Sequence, residues 1–152
     1  MKRVYAREEI CGGCKLCEVH CAVAHSQYPH DIIKAFLKQE TKPIARILVE
    51  EGRPISFALQ CRHCEDAPCT KACITGAMQK DPVTGIVAND ETRCVGCWTC
   101  ILVCPFGAIK RDESGHKVAS KCDLCATVGG IPVCVQNCPN DALVFTDELW
   151  RR

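Results

Sequence analysis

The chain has no apolar run of about 18 residues, so no membrane-spanning helix is expected. Its opening stretch, Met-Lys-Arg-Val-Tyr-Ala-Arg-Glu-Glu-Ile, lacks the apolar segment that a secretory signal requires. The Arg151–Arg152 pair is C-terminal and does not resemble a twin-arginine export signal. Charge is nearly balanced at +1, with a pI near 7.4, which gives no basic footprint for nucleic acid. Low-complexity tracts and flexible linkers are also missing. Together these absences predict one compact domain in a reducing compartment, the cytoplasm, with no nucleic-acid partner and no membrane span. The length of 152 residues fits a single domain.

Cysteine is what the sequence has in excess: 16 of 152 positions, a density that signals a metal or disulfide scaffold. In a reducing compartment the thiols are expected to bind metal. They fall into four groups of four. The first is Cys11-x2-Cys14-x2-Cys17-x3-Cys21, and the second is Cys61-x2-Cys64-x4-Cys69-x3-Cys73. The third is Cys94-x2-Cys97-x2-Cys100-x3-Cys104 followed by Pro105. The fourth is Cys122-x2-Cys125-x8-Cys134-x3-Cys138 followed by Pro139.

Spacing separates the candidate metals. Structural zinc with four thiolates uses two C-x2-4-C knuckles apart in sequence, without a third cysteine two residues on. The run C-x2-C-x2-C-x3-C-P is the bacterial two-cluster ferredoxin pattern, in which the fourth cysteine serves the other cluster. Cys94 to Pro105 matches it at every position. The 16 cysteines therefore suffice for four [4Fe–4S] clusters with no thiolate left over. Such clusters would take the holoprotein to a net charge of roughly −7, so a docking partner is expected to be basic.

An internal repeat accompanies the groups: Cys73-Ile-Thr-Gly-Ala-Met, Cys104-Pro-Phe-Gly-Ala-Ile and Cys138-Pro-Asn-Asp-Ala-Leu. Turn residues Asp81-Pro82-Val83-Thr84-Gly85 and Asp112-Glu113-Ser114-Gly115 predict hairpins between successive groups. The expected fold is α+β: duplicated ferredoxin-like units, with a core built around the clusters. An insertion from Ala22 to Gln60 adds a helix over Asp31–Glu40, with Asp31 as N-cap and Pro43 as its stop. A hairpin of Ile44–Glu50 and Ile55–Leu59 around Glu51-Gly52-Arg53-Pro54 follows. The insertion is expected to serve packing or docking.

Exchange of the fourth cysteine can pair the groups first-with-fourth and second-with-third, or neighbour with neighbour. Spacing alone leaves both open. Full thiolate shells predict outer-sphere electron transfer and no catalytic residue. His63 and His20 adjoin ligand cysteines, and packing or hydrogen bonding is the expected role of each. Trp98 is expected to pack against a cluster. Gly12, Gly13, Gly96 and Gly107 suit close backbone approach or simple turns. Lys110, Arg111, Lys117 and Lys121 read as a solvated face.

The run Cys61-Arg-His-Cys-Glu-Asp-Ala-Pro-Cys-Thr-Lys-Ala-Cys73, the opening Lys121-Cys-Asp-Leu-Cys125, and the order of the groups resemble a known family. It is the four-cluster electron-transfer subunits of the dimethyl sulfoxide reductase and formate dehydrogenase type. That resemblance implies the first-with-fourth, second-with-third pairing. Cluster A would then be held by Cys11, Cys14, Cys17 and Cys138, and cluster B by Cys21, Cys122, Cys125 and Cys134. Cluster C would take Cys61, Cys64, Cys69 and Cys104, and cluster D Cys73, Cys94, Cys97 and Cys100. Residues 1–60 plus 111–152 would form one bicluster module and 61–110 the other, within one domain spanning 1–152.

Cys94-Val-Gly-Cys-Trp-Thr-Cys100 further resembles the subunits serving carbon monoxide dehydrogenase and tungsten aldehyde oxidoreductases. The implied partners are a nickel–iron–sulfur or tungstopterin catalytic subunit, and an acceptor such as a flavoprotein, hydrogenase or ferredoxin. Alternatives are the iron–sulfur subunit of a hydrogenase or formate dehydrogenase complex, or a zinc-built interaction module. Ala22 and Ile74 stand where the repeat otherwise has proline.

Overall fold

Asp81 shows how local chemistry shapes this chain. Its Oδ1 accepts from the N–H groups of Val83 and Thr84, and its own N–H donates to the Ile86 carbonyl. The turn so formed joins β4 (Met78–Lys80) to β5 (Val87–Asn89), as the sequence predicts. A computed structural model describes residues 1–52, 54–112, 119–128 and 130–147. Within them lie eight strands in four two-stranded antiparallel ribbons, with five short helices between.

The insertion follows the same logic with different limits. The Asp31 carboxylate accepts from Lys34 N–H at 2.9 Å and opens α2, which spans Ile32–Leu37. This helix ends three residues before the expected Glu40, at a C-cap formed by Lys38. Its apolar residues are not a buried face: Ile33 is 69% and Leu37 79% exposed, while Ala35 is fully buried. The hairpin β2 (Ile47–Gly52) and β3 (Ile55–Gln60) starts later than expected and runs on to Gly52. Strands β6 (Ile109–Arg111) and β7 (Ala119–Lys121) pair as another ribbon. Of the residues singled out above, Arg53, Glu113, Ser114, Gly115, Lys117, Arg151 and Arg152 lie outside the described residues.

The fourth ribbon joins opposite ends of the sequence. Strand β1 (Arg3–Ala6) pairs with β8 (Leu143–Thr146), Val4 opposite Phe145 and Ala6 opposite Leu143. This closure carries the first cysteine group to the fourth. Side chains tie it to the insertion: Gln60 Nε2 donates to the Val4 carbonyl at 2.7 Å. Glu18, on α1 (Leu16–Ala24), accepts from Val49 N–H at 2.5 Å.

Two apolar cores result. One combines Val4, Ile47, Val49, Ala58, Leu124 and Leu143 with Cys17, Cys21, Cys122 and Cys134. The other combines Ala67, Met78, Val87 and Ile109 with Cys69. Among the described residues no Phe, Tyr or Trp side chain is buried. Cores this small need reinforcement from metal or cross-links.

Candidate metal centres

Each cysteine group reverses the backbone at one position. The residue before its second cysteine has positive φ: Gly13 (65°), His63 (46°), Gly96 (69°) and Leu124 (58°). In the first and third groups Lys15 and Trp98 repeat the left-handed turn at φ 60°. A helix then begins, and its second residue is always the third cysteine. These are Cys17 in α1, Cys69 in α3 (Pro68–Lys71), Cys100 in α4 (Thr99–Leu102) and Cys134 in α5 (Val133–Gln136).

The exits repeat as well. The N–H groups of Cys73, Cys104 and Cys138 donate to Thr70, Ile101 and Val135 carbonyls. The carbonyls of these cysteines accept from Gly76, Gly107 and Asp141, all at positive φ. The first group departs from this course, because α1 continues past Cys21 to Ala24.

The cysteines gather across groups. Cys11, Cys14, Cys17 and Cys138 line one cavity, and Cys61, Cys64, Cys69 and Cys104 line another. Cys134 lies close enough to Cys122, Cys21 and Cys125 for their charges to interact. Cys100 is similarly close to Cys94 and Cys97, and Cys97 to Cys73. Charge interactions also reach between neighbouring sets, from Cys134 to Cys17, Cys122 to Cys61 and Cys100 to Cys69. All 16 are free thiols.

The chemistry of these sites fits a cationic metal core. Burial pushes the Cys17 and Cys122 thiols up to about 12 and Cys100 to about 11, with Cys134 raised too. Thiols held protonated in this way are poor nucleophiles. A coordinated metal supplies the positive charge that displaces the proton. Backbone N–H groups already point at sulfur: Arg46 to Cys21 and Ala142 to Cys138, both 3.2 Å, and Met78 to Cys73, 3.3 Å. His63 and Leu124 do the same toward Cys61 and Cys122, at 3.4 Å each. Finally, the fully buried His63 leaves Nε2 without a hydrogen-bond partner among the described residues.

Several residues near the thiols escaped sequence reasoning. His25 stands one helical turn after Cys21; its Nδ1 lies 2.8 Å from the Cys21 carbonyl and 3.8 Å from its sulfur. Its Nε2 meets Asp123 Oδ1 at 3.1 Å, and Arg46 meets Oδ2 at 2.8 Å. Burial opposes a charge on His25, but the hydrogen bond to Asp123 carries its pKa up to about 9. His25, Asp123 and Cys125 gather one possible metal-ligating atom each. Asp123 is already engaged by two cations, so this trio is better read as support for the cysteine set.

Lys121 corrects the expectation of a solvated face. It is 4% exposed, and its Nζ donates to the carbonyls of Val87 and Cys122. Lys110 reaches the Ile47 carbonyl, and Arg111 stacks 5.1 Å from the Trp98 ring centroid. Trp98 itself packs against the second core, and His20 is half-buried on α1.

Cysteine cages with amides aimed at sulfur define a class, the ferredoxin-type iron–sulfur proteins of electron transport. Within that class the chain belongs to the 4Fe-4S dicluster domain family, which matches residues 54–148. It is 42% identical to an iron-sulfur protein of Rhodospirillum rubrum, over 95% of this chain and 81% of that one. Electron transport protein HydN of Escherichia coli K12 is 41% identical, over 91% of this chain and 83% of HydN. The thiosulfate reductase electron transfer subunit PhsB of Salmonella typhi is 36% identical, over 91% and 71% respectively. In fold the chain is similar to one in the active site complex BamBC of benzoyl coenzyme A reductase. The TM-score there is 0.52 at 23% identity, covering 96% of this chain and 79% of the other.

Proposed function

We propose that this chain is a non-catalytic electron-transfer subunit carrying single electrons through four [4Fe–4S] clusters, between a catalytic oxidoreductase subunit and a redox acceptor. One observation carries the reading: thiols of the four sets proposed below lie within reach of one another's charge in the order A, B, C, D. The ligands we assign are Cys11, Cys14, Cys17 and Cys138 for A, and Cys21, Cys122, Cys125 and Cys134 for B. Those for C are Cys61, Cys64, Cys69 and Cys104, and for D Cys73, Cys94, Cys97 and Cys100. Exposed Cys14 and Cys97 mark the two ends where partners would approach.

When bound, such clusters take up and release one electron at a time. The chain's own contribution is to bring the sets together, bury six of the 16 thiols, and aim amide N–H groups at sulfur. The recurrent backbone course supports duplicated ferredoxin-like units arranged as two bicluster modules. Among the described residues no helix is long and apolar enough to cross a membrane.

For the catalytic partner, the Cys94–Cys100 run supports a nickel–iron–sulfur carbon monoxide dehydrogenase or a tungstopterin aldehyde oxidoreductase. Similarity to a thiosulfate reductase subunit supports a wider choice of reductase partners, and hydrogenase and formate dehydrogenase complexes are the alternatives.

Anaerobic purification tests the reading. A brown protein with about 16 iron and 16 sulfide per chain is expected, from four cubes, bleaching reversibly on reduction. A colourless, redox-silent, zinc-loaded protein would defeat it, and whatever co-purifies identifies the partner. Cys138→Ser tests the pairing. It should remove the cluster held by Cys11, Cys14 and Cys17; loss of the cluster of Cys122, Cys125 and Cys134 in EPR would overturn the assignment.

A further inference from the structure

His63 and Lys121 are the two most deeply buried polar side chains with no role so far. His63 Nδ1 accepts the Val87 N–H at 2.9 Å, so the ring proton sits on Nε2. That Nε2–H is buried and has no acceptor among the described residues. Native structures rarely leave a buried donor unpaired. Lys121 holds the other backbone group of the same residue, donating to the Val87 carbonyl and also to that of Cys122. It forms no ion pair among the described residues, although a buried ammonium is costly without a counter-charge.

Both residues stand at one place. His63 lies between Cys61 and Cys64 and feels the Lys121 charge, Lys121 precedes Cys122, and Cys122 neighbours Cys61. The Lys121 charge also reaches Cys69. This is the junction of sets B and C, where the two modules meet. Sulfur in anionic iron–sulfur cages would satisfy both lacks, an acceptor for the N–H and a counter-charge for the ammonium.

We propose that His63 donates its Nε2–H to cluster sulfur at the B–C junction and that Lys121 is the fixed positive charge there. Acting together, they make the inner clusters easier to reduce. Hydrogen bonds to sulfur and nearby positive charge both favour the more negative, reduced state. The inference rests on the four-cluster reading, and its test keeps the two apart.

The whole chain, purified anaerobically with its partners, is labelled with 15N-histidine and reduced. Pulsed EPR should show an imidazole nitrogen coupled to a cluster, and His63→Gln, which keeps an N–H donor, should abolish that coupling. His63→Leu and Lys121→Met, at full iron content, should each make an inner cluster at least tenfold harder to reduce. For a one-electron couple that is about 59 mV. The signals assigned to the clusters of Cys11 and Cys94 should stay in place.

Absence of the coupling, its persistence in His63→Gln, or unshifted potentials in fully loaded His63→Leu would overturn the proposal. Should His63→Leu fail to load, the coupling and the Lys121→Met titration decide. Iron well below 16 per chain in the parent would instead refute the four-cluster reading.

Discussion

At Gly13 the chain reverses at φ 65°, and a Cβ built there would stand 2.9 Å from Ser56 Oγ. Both the conformation and the space disfavour a side chain there. Gly107 has a similar φ of 60°, but nothing lies within 4 Å of its Cβ position. The two therefore separate strain from crowding. Gly107→Ala should lose only about 1 kcal/mol, the cost of a left-handed alanine, and keep its iron. Gly13→Ala must also displace Ser56, and should lower the iron bound by the Cys11, Cys14 and Cys17 set. Thermal melts with iron analysis of both variants check this.

At the same scale, the histidines show what sequence proximity hides. His20 and His63 adjoin cysteines in the chain, yet His25 reaches Cys21, because residues four apart share a helix face. Seeing that requires knowing that α1 continues past Cys21, which the absent proline at Ala22 hints at but does not state.

Helix α2 is the element whose sequence and surroundings disagree. The spacing of Ile32, Ile33, Phe36 and Leu37 reads as the apolar side of a helix used for packing or docking, but the four are exposed and Ala35 is the buried residue. Ile33→Glu combined with Leu37→Glu should leave thermal stability within about 0.5 kcal/mol per site, as for other exposed substitutions. Denaturant melts of the loaded protein would measure it. A large loss would mean that the stripe is covered in the folded state.

Other elements were legible because their causes are local: the Asp31 cap, the Asp81 turn, and the cysteine curls. The β1–β8 ribbon was not. Nothing in Arg3–Ala6 distinguishes a partner at Leu143–Thr146 from one nearer in the chain. Lys121 was misread for the same reason. A lysine beside a turn looks solvated until Val87 and Cys122 are seen to close over it.

For the whole molecule, stability and cofactor are hard to separate. Six of the cysteines are buried, and the rest of both cores is aliphatic side chains, alanine and Met78. Removing iron would leave protonated thiols around cavities that nothing else fills. Chelation under anaerobic, reducing conditions should abolish cooperative unfolding, followed by circular dichroism, and restored iron and sulfide should recover it. A chelated protein that still melts sharply would show that the aliphatic cores suffice.

The pairing of the two chain ends by β1 and β8 bears on the timing of synthesis. Ribosomes deliver the N-terminal cysteines first, at about 5–20 residues per second. Under the proposed pairing, Cys11, Cys14 and Cys17 then wait on the order of ten seconds for Cys138, while Cys61 through Cys104 come out together. Metal delivery to the middle of the chain can begin early in translation, whereas the outer set is completed only once Cys138 has emerged. A ribosome stalled between Cys104 and Cys138 would hold a protein half assembled, with one pair of sites closed and the other still open.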